Sequence, residues 1–240
     1  MGRDQIKLIA ILTMTGNHFA HIFLEPATIL YELLIGLGYL TAPVMCFFLV
    51  EGYEKSSSRK NYALRIFITA CLAQLPYQKA LGIRMPNILF TLCICMAVIY
   101  IEKSGRRESF VLNGFLILAS AWCDWGAVLP LAALWFVRAG EDKEEQKKTF
   151  GRIALIILIV SVLDYIPKTA EGINGFWAIL IHGAFGGAGV LLGGLLICCF
   201  YQPHAVRRQG IRKKASQWFF YLYYPLHLAG LAVLSNLWGF

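Results

Sequence analysis

The sequence predicts an all-α protein, a polytopic integral membrane helical bundle of about nine transmembrane helices. Hydrophobic residues make up 58% of the 240 residues and charged residues only 15%, whereas about 25% of residues are charged in soluble domains. The mean hydropathy is +0.60. Because one bilayer crossing takes about 20 apolar residues, the chain has room for roughly eight to ten crossings and little else.

The helices follow from the apolar segments of the sequence, taken in order. There are nine of them, approximately at residues 6–24, 28–51, 62–80, 86–102, 109–123, 124–138, 151–167, 176–201 and 216–238. The division within 109–138 rests on the turn predicted at Asp124-Trp125-Gly126. With no linker or repeat in the sequence, we expect one transmembrane domain over residues 1–240.

The basic residues predict the orientation of these helices. If the N-terminus is cytoplasmic and the helices alternate in direction, all but three of the 22 Lys and Arg residues fall on the cytoplasmic side, the exceptions being Lys79, Arg84 and Lys168. Such an excess of positive charge marks cytoplasmic loops. A missed helix would exchange the two sides of the membrane for every Lys and Arg that follows it, so the asymmetry also supports the number of helices. We therefore expect a cytoplasmic N-terminus and an extracytoplasmic C-terminus.

The first helix carries polar residues within its apolar run. Lys7 and His18 are separated by 11 positions, which is about three turns plus 20° and roughly 16 Å along the axis, so they share one helix face. Asn17 precedes His18, and His21 lies one turn further on. Buried ionisable groups in membrane helices are functional candidates. The alternative is that these residues only bond to other helices and that Lys7 is a cytoplasmic anchor.

A cation at the membrane rim and a base within the membrane would suit a long ligand with phosphates at one end and reactive chemistry at the other. Coenzyme A has this shape. His18 would act as a general base on an amine or hydroxyl nucleophile, with Asn17 orienting the imidazole. Lys7 would contact the phosphates.

Arg59 and Arg65 join Lys7 as candidates for binding the phosphates, and Glu51, Asp124 and His227 are weaker candidates for the same site. Arg59 and Arg65 follow the second apolar segment and form a possible phosphate-binding patch, with Glu51 beside them. The alternative is a solvated loop in which Glu51 pairs with Arg65. Asp124 lies in the predicted outer turn, and His227 follows Pro225, which can kink a helix.

No metal site is expected from the cysteines. The seven of them lie within or at the ends of apolar segments and contain no CxxC pair, which is typical of small buried hydrophobic residues. Membrane lipids are the expected surroundings. The positive net charge of +8 lies in short loops and does not indicate nucleic acid.

Several stretches together resemble the TraX family, polytopic bacterial proteins named for acetylation of conjugative pilin. In order, they are KLIAILTM, NHFAHIF, LTAPVMCFFLVEGY, NYALRIFITACLAQLPY, NILFTL, CDWG and FFYLYYPLHL. Many members carry Asp where this sequence has Asn17. The family is similar to a larger superfamily of transmembrane acyltransferases, whose first helix has a basic residue, then ten residues, then a histidine; Lys7 and His18 match that spacing.

The resemblance implies an acyltransferase of the bacterial plasma membrane that uses acetyl-CoA as co-substrate. The acceptor would be an amine or hydroxyl group, on a peptide or pilin N-terminus or on a cell-surface glycan. Two alternatives remain from the residues. A transporter or flippase would use the buried polar groups as a translocation path, although the sequence contains no paired inverted repeats. A membrane assembly factor without chemistry would not need the shared face of Lys7 and His18.

Overall fold

The computed structural model describes residues 1–26, 28–165, 173–203 and 210–239, and all regular structure in these ranges is helical. Lys168 lies outside the described residues. The helices are α1 (Arg3–Phe23), α2 (Ile29–Gly38), α3 (Thr41–Glu54), α4 (Arg59–Leu81), α5 (Ile88–Lys103), α6 (Ser109–Ala119), α7 (Val128–Ala139), α8 (Lys143–Tyr165), α9 (Ile173–Leu195) and α10 (Gly210–Trp238). A 3₁₀ turn at Ser120–Trp122 follows α6, and a π-helical turn at Leu196–Phe200 extends α9.

The prediction of an all-α fold is confirmed for these ranges. By length and hydropathy, three helical segments are suited to cross a membrane: Ile29–Glu54, Ile179–Phe200 and Ala215–Trp238. Ser109–Trp122 and Val128–Ala139 are shorter apolar helices. The protein is therefore helical with at least three candidate membrane spans, and nine crossings remains a prediction.

The second apolar segment forms two helices, where the sequence predicted one. α2 ends at Gly38, and α3 begins at Thr41. Pro43 lies in the first turn of α3. Because proline has no backbone N–H, it cannot donate to the carbonyl four residues earlier, and it is best tolerated at the start of a helix. The break leaves Tyr39 and Leu40 between two nearly continuous helices.

α2 and α9 cross at very close range through glycine. A Cβ atom on Gly189 would overlap the carbonyl oxygen of Gly36, and a Cβ on Gly36 would lie 2.8 Å from the carbonyl oxygen of Phe185. Small residues at helix crossings allow backbones to approach in this way. This contact positions α2, and through it α1, against the rest of the bundle.

The core has two parts. The main cluster joins seven helices and includes Ile6, Phe48, Ile66, Ile99, Leu129, Ile153 and Val190. A smaller cluster lies between α4 and α10 and contains Ala73, Tyr77, Tyr224 and Leu228. Polar side chains collect between these two clusters, where α1, α4 and α10 meet.

Candidate functional site

A cavity of about 910 Å³ opens between α1, α3, α4, α5 and α10. It lies at the end of the bundle where α1, α4 and α10 begin and α3 ends, which we call the basic end. Its charged lining residues are Arg3, Asp4, Lys7, Glu51, Lys55 and Arg65. Leu89, Leu92 and Tyr224 line the part farthest along their helices from the basic end. The cavity therefore runs from a charged opening to an aromatic and aliphatic interior.

Glu51 anchors one wall of this opening. Its carboxylate accepts hydrogen bonds from Lys55 Nζ at 2.5 Å and from the hydroxyl of Tyr201 at 2.6 Å, and Arg3 Nε lies 3.6 Å away. Arg3 Nη2 also donates to the carbonyl of Phe48 at 2.7 Å. The expected alternative, pairing of Glu51 with Arg65, is not present. Glu51 thus joins α1, α3 and the residue after α9, and its charge is already compensated.

Lys7 and Arg65 present the cations that remain available in the cavity. Lys7 Nζ lies 5.3 Å from the ring centre of Phe220 and 5.8 Å from that of Phe48. Arg65 Cζ lies 5.9 Å from the ring centre of Tyr62. Within the part of the chain that the structure describes, neither forms an ion pair with a carboxylate. Aromatic faces stabilise a cation without neutralising it, so both can bind an anion.

Arg59 is placed differently from Arg65. Its guanidinium carbon lies 4.7 Å from the ring centre of Tyr53, and Arg59 is not among the residues that line the cavity. Of the three predicted phosphate-binding residues, the structure brings Lys7 and Arg65 together and leaves Arg59 outside.

His18 on α1 and His227 on α10 form a hydrogen-bonded pair. His18 Nδ1 lies 2.9 Å from His227 Nε2, and His227 Nδ1 lies 3.0 Å from the carbonyl oxygen of Tyr223. A carbonyl can only accept, so in a neutral His227 the proton is on Nδ1 and Nε2 accepts. His18 must then donate from Nδ1. Its Nε2 is left with a lone pair, which is the arrangement a general base requires.

Asn17 and His21 have other partners. The amide nitrogen of Asn17 donates to the carbonyl of Ile35 at 3.2 Å, and its side chain packs where Gly38 leaves no room for a Cβ. Asn17 therefore joins α1 to α2, and the residue that orients the His18 ring is His227. His21 Nδ1 lies 3.5 Å from the hydroxyl of Tyr31.

Asp124 lies in the turn that the sequence predicted, before α7, where it is partly buried. The hydroxyl of Tyr77 donates to its carboxylate, and its carbonyl accepts from Thr91 Oγ1 at 2.5 Å. Burial raises the pKa of Asp124 to about 6, and hydrogen bonds from the Trp125 amide and from Tyr77 oppose this shift. The turn holds Asp124 near Tyr224 rather than in solvent.

Sequence reasoning missed three tyrosines and one hydrogen bond between a histidine and a carboxylate. Tyr77, Tyr201 and Tyr224 all contact charged candidates or line the cavity. A hydroxyl group in an apolar environment is costly without a partner. The tyrosines of YLYYPLHL were therefore a sequence signal for polar contacts in this helix. A second pair, His182 Nδ1 with Glu32 at 2.8 Å, joins α9 to α2.

These features define a class, the helical membrane proteins that hold a basic cavity beside a partly buried histidine pair. The chain belongs to the TraX family, since the family model described as TraX protein matches residues 2–235. It is also similar to the probable fimbrial assembly protein FimC, serogroup H1, of Dichelobacter nodosus. The two are 28% identical over 244 residues, which cover 94% of this chain and 92% of the relative. No solved structure matches the chain.

Proposed function

We propose that the protein is an integral membrane acetyltransferase that moves an acetyl group from cytoplasmic acetyl-CoA to an amine or hydroxyl acceptor. The observation that carries the proposal is the cavity, which has Lys7 and Arg65 in its wall and Tyr224 at its far end, beside His18 and His227. Phosphates would bind the two cations, and the pantetheine arm would extend inward toward the histidines.

His18 acts as the general base. Its Nε2 accepts the proton of the acceptor amine or hydroxyl as that group attacks the thioester carbonyl. A new C–N or C–O bond forms, the C–S bond breaks, and the CoA sulfur leaves as a thiolate that takes up the proton. His227 holds the imidazole in the tautomer that can accept.

The proposed orientation places the basic end in the cytoplasm, where acetyl-CoA is found, with nine crossings in the plasma membrane. The positive-inside distribution of Lys and Arg supports this orientation. The acceptor would reach the histidine pair from the opposite side. A fimbrial subunit is one acceptor class, supported by the name of the Dichelobacter nodosus relative; a surface glycan is the other.

A second candidate is a role in fimbrial assembly without acyl transfer, which that relative's name also favours. One experiment separates the two. Purified protein is incubated with acetyl-CoA labelled in the acetyl group, with and without a membrane extract as acceptor source. Acyl transfer or slow thioester hydrolysis that requires His18 supports the acetyltransferase. Absence of both acetyl-CoA binding and turnover excludes it and leaves assembly or transport.

A further inference from the structure

Tyr224 has a buried hydroxyl without a partner. The residue is only 6% exposed, and its oxygen makes no hydrogen bond within the described part of the chain. Burial of an unpaired hydroxyl costs free energy, and native proteins rarely keep one without a reason. The neighbouring Tyr77 differs, because its hydroxyl donates to the carboxylate of Asp124.

Tyr224 also lines the cavity at its deep end. On α10 the lining residues run from Ser216 to Tyr224, about 12 Å along the helix axis. Ser216 marks the basic end, where its hydroxyl donates to Asp4 at 2.8 Å. A ligand whose phosphates bind near Lys7 would therefore bring its opposite end to Tyr224.

The ring of Tyr224 lies against both members of the histidine pair. Its centroid is 6.5 Å from that of His18 and 5.6 Å from that of His227. The ring of Tyr224 and the proposed base therefore share one corner of the site. A general base and a hydrogen-bond donor side by side are what addition to a carbonyl requires.

We infer that the Tyr224 hydroxyl donates a hydrogen bond to the carbonyl oxygen of the acetyl thioester and stabilises the oxyanion. As the acceptor attacks, the carbonyl electron pair moves onto this oxygen, while the acceptor proton moves to His18 Nε2. Tyr224 keeps its own proton throughout. When the intermediate collapses, the C=O bond re-forms and the C–S bond breaks. This role rests on the proposed function.

The test is Tyr224→Phe, which removes one oxygen and keeps the ring. Loss of one oxyanion donor typically lowers kcat by about 10² to 10³. We expect a loss of this size with the Kd for acetyl-CoA unchanged. The melting temperature of the ligand-free protein should stay equal or rise, since the variant removes an unpaired buried hydroxyl. A merely structural hydroxyl would give the opposite change in stability.

Two matched variants make the comparison. Tyr77→Phe should lower the melting temperature, because it leaves the buried Asp124 carboxylate without its donor. Tyr53→Phe, buried but outside the cavity, should keep kcat within about threefold.

The inference is overturned if Tyr224→Phe keeps parental kcat, or if it melts lower as Tyr77→Phe does. If the unaltered protein neither binds nor turns over acetyl-CoA, the proposed function itself has failed. An active parent with an active Tyr224→Phe variant rejects only the role of Tyr224.

Discussion

His18 Nδ1 lies 2.9 Å from His227 Nε2, although 209 positions separate the two residues. The backbone carbonyl of Tyr223 fixes the proton on His227 Nδ1, so the protons of both rings are assigned by a single acceptor. The histidine pair is therefore asymmetric: His18 carries the free lone pair, and His227 supports it. The two residues should consequently respond differently to substitution.

His18→Ala should lower acetyl transfer by a factor of roughly 10² to 10⁴, the usual contribution of a positioned general base. Binding of acetyl-CoA should stay within a few-fold of the parent, because Lys7 and Arg65 are unchanged. Labelled-acetyl transfer and calorimetry measure the two effects. His21→Ala is the control, since His21 contacts Tyr31 instead. If His21→Ala loses activity and His18→Ala keeps it, the base has been misassigned.

His227→Ala should reduce kcat less severely. It removes the acceptor that holds His18 in one tautomer, and a hydrogen bond of about 1 kcal/mol corresponds to roughly a fivefold loss. His227→Gln should recover much of this activity, because its side-chain oxygen can accept from His18 Nδ1. Equal losses for Ala and Gln would show that His227 takes part in proton transfer itself.

Lys7→Ala and Arg65→Ala should each weaken acetyl-CoA affinity by about ten- to hundredfold while kcat at saturation changes little. Hydrogen bonds to charged groups contribute about 1.5–3 kcal/mol each. Binding should also weaken as salt is raised. Titration calorimetry of each variant with CoA gives the Kd. Arg59→Ala should have a smaller effect, because Arg59 lies over Tyr53; an equal effect would extend the site to Arg59.

Gly189→Ala should destabilise the protein by about 1–3 kcal/mol or more, the usual cost of overpacking. The added methyl group meets the backbone oxygen of Gly36, which cannot rotate away as a side chain can. Thermal unfolding in detergent measures the loss. Gly230→Ala is the matched control, since a Cβ there has nothing within 4 Å. Similar melting temperatures for the two variants would mean that α2 and α9 are not held by this crossing.

Cysteine labelling tests the nine-crossing topology. In a background without the exposed Cys71 and Cys199, cysteines at Ser57 and Lys147 should be protected from an impermeant reagent added outside the cell. A cysteine at Met85 should react. Reaction at position 147 from outside would show that residues 109–138 do not form two crossings.

Helix positions and the Lys7–His18 face were predictable because they depend on local periodicity. His227 could not be predicted as the partner of His18, because this contact depends on how α1 packs against α10. Nothing in either helix alone specifies it. For the same reason, the sequence did not show that Asn17 contacts α2 instead of orienting the His18 ring. Its neighbour in sequence is His18, but the two side chains leave the helix about 100° apart, so one reaches α2 and the other α10.

The break between α2 and α3 shows another limit. Hydropathy is continuous through residues 28–51, and only Pro43 signals an interruption. The burial of Asp124 depends on α4 and α5 closing over the turn. Pro86 and Thr91 bind its backbone from residues more than thirty positions away in sequence, and periodicity carries no information about such contacts.

The depth of Lys7 has a consequence for the energised cell. Lys7 lies four residues beyond Arg3, about 6 Å further along α1. In the proposed orientation, an anion that moves from the level of Arg3 to that of Lys7 moves outward by a distance equal to about a fifth of a 30 Å hydrocarbon layer. With the cell interior negative, that movement releases about 0.5 kcal/mol per charge for each 100 mV. The affinity for acetyl-CoA then depends on the membrane potential. A protonophore that collapses this potential would weaken acetyl-CoA binding without any change in the protein itself.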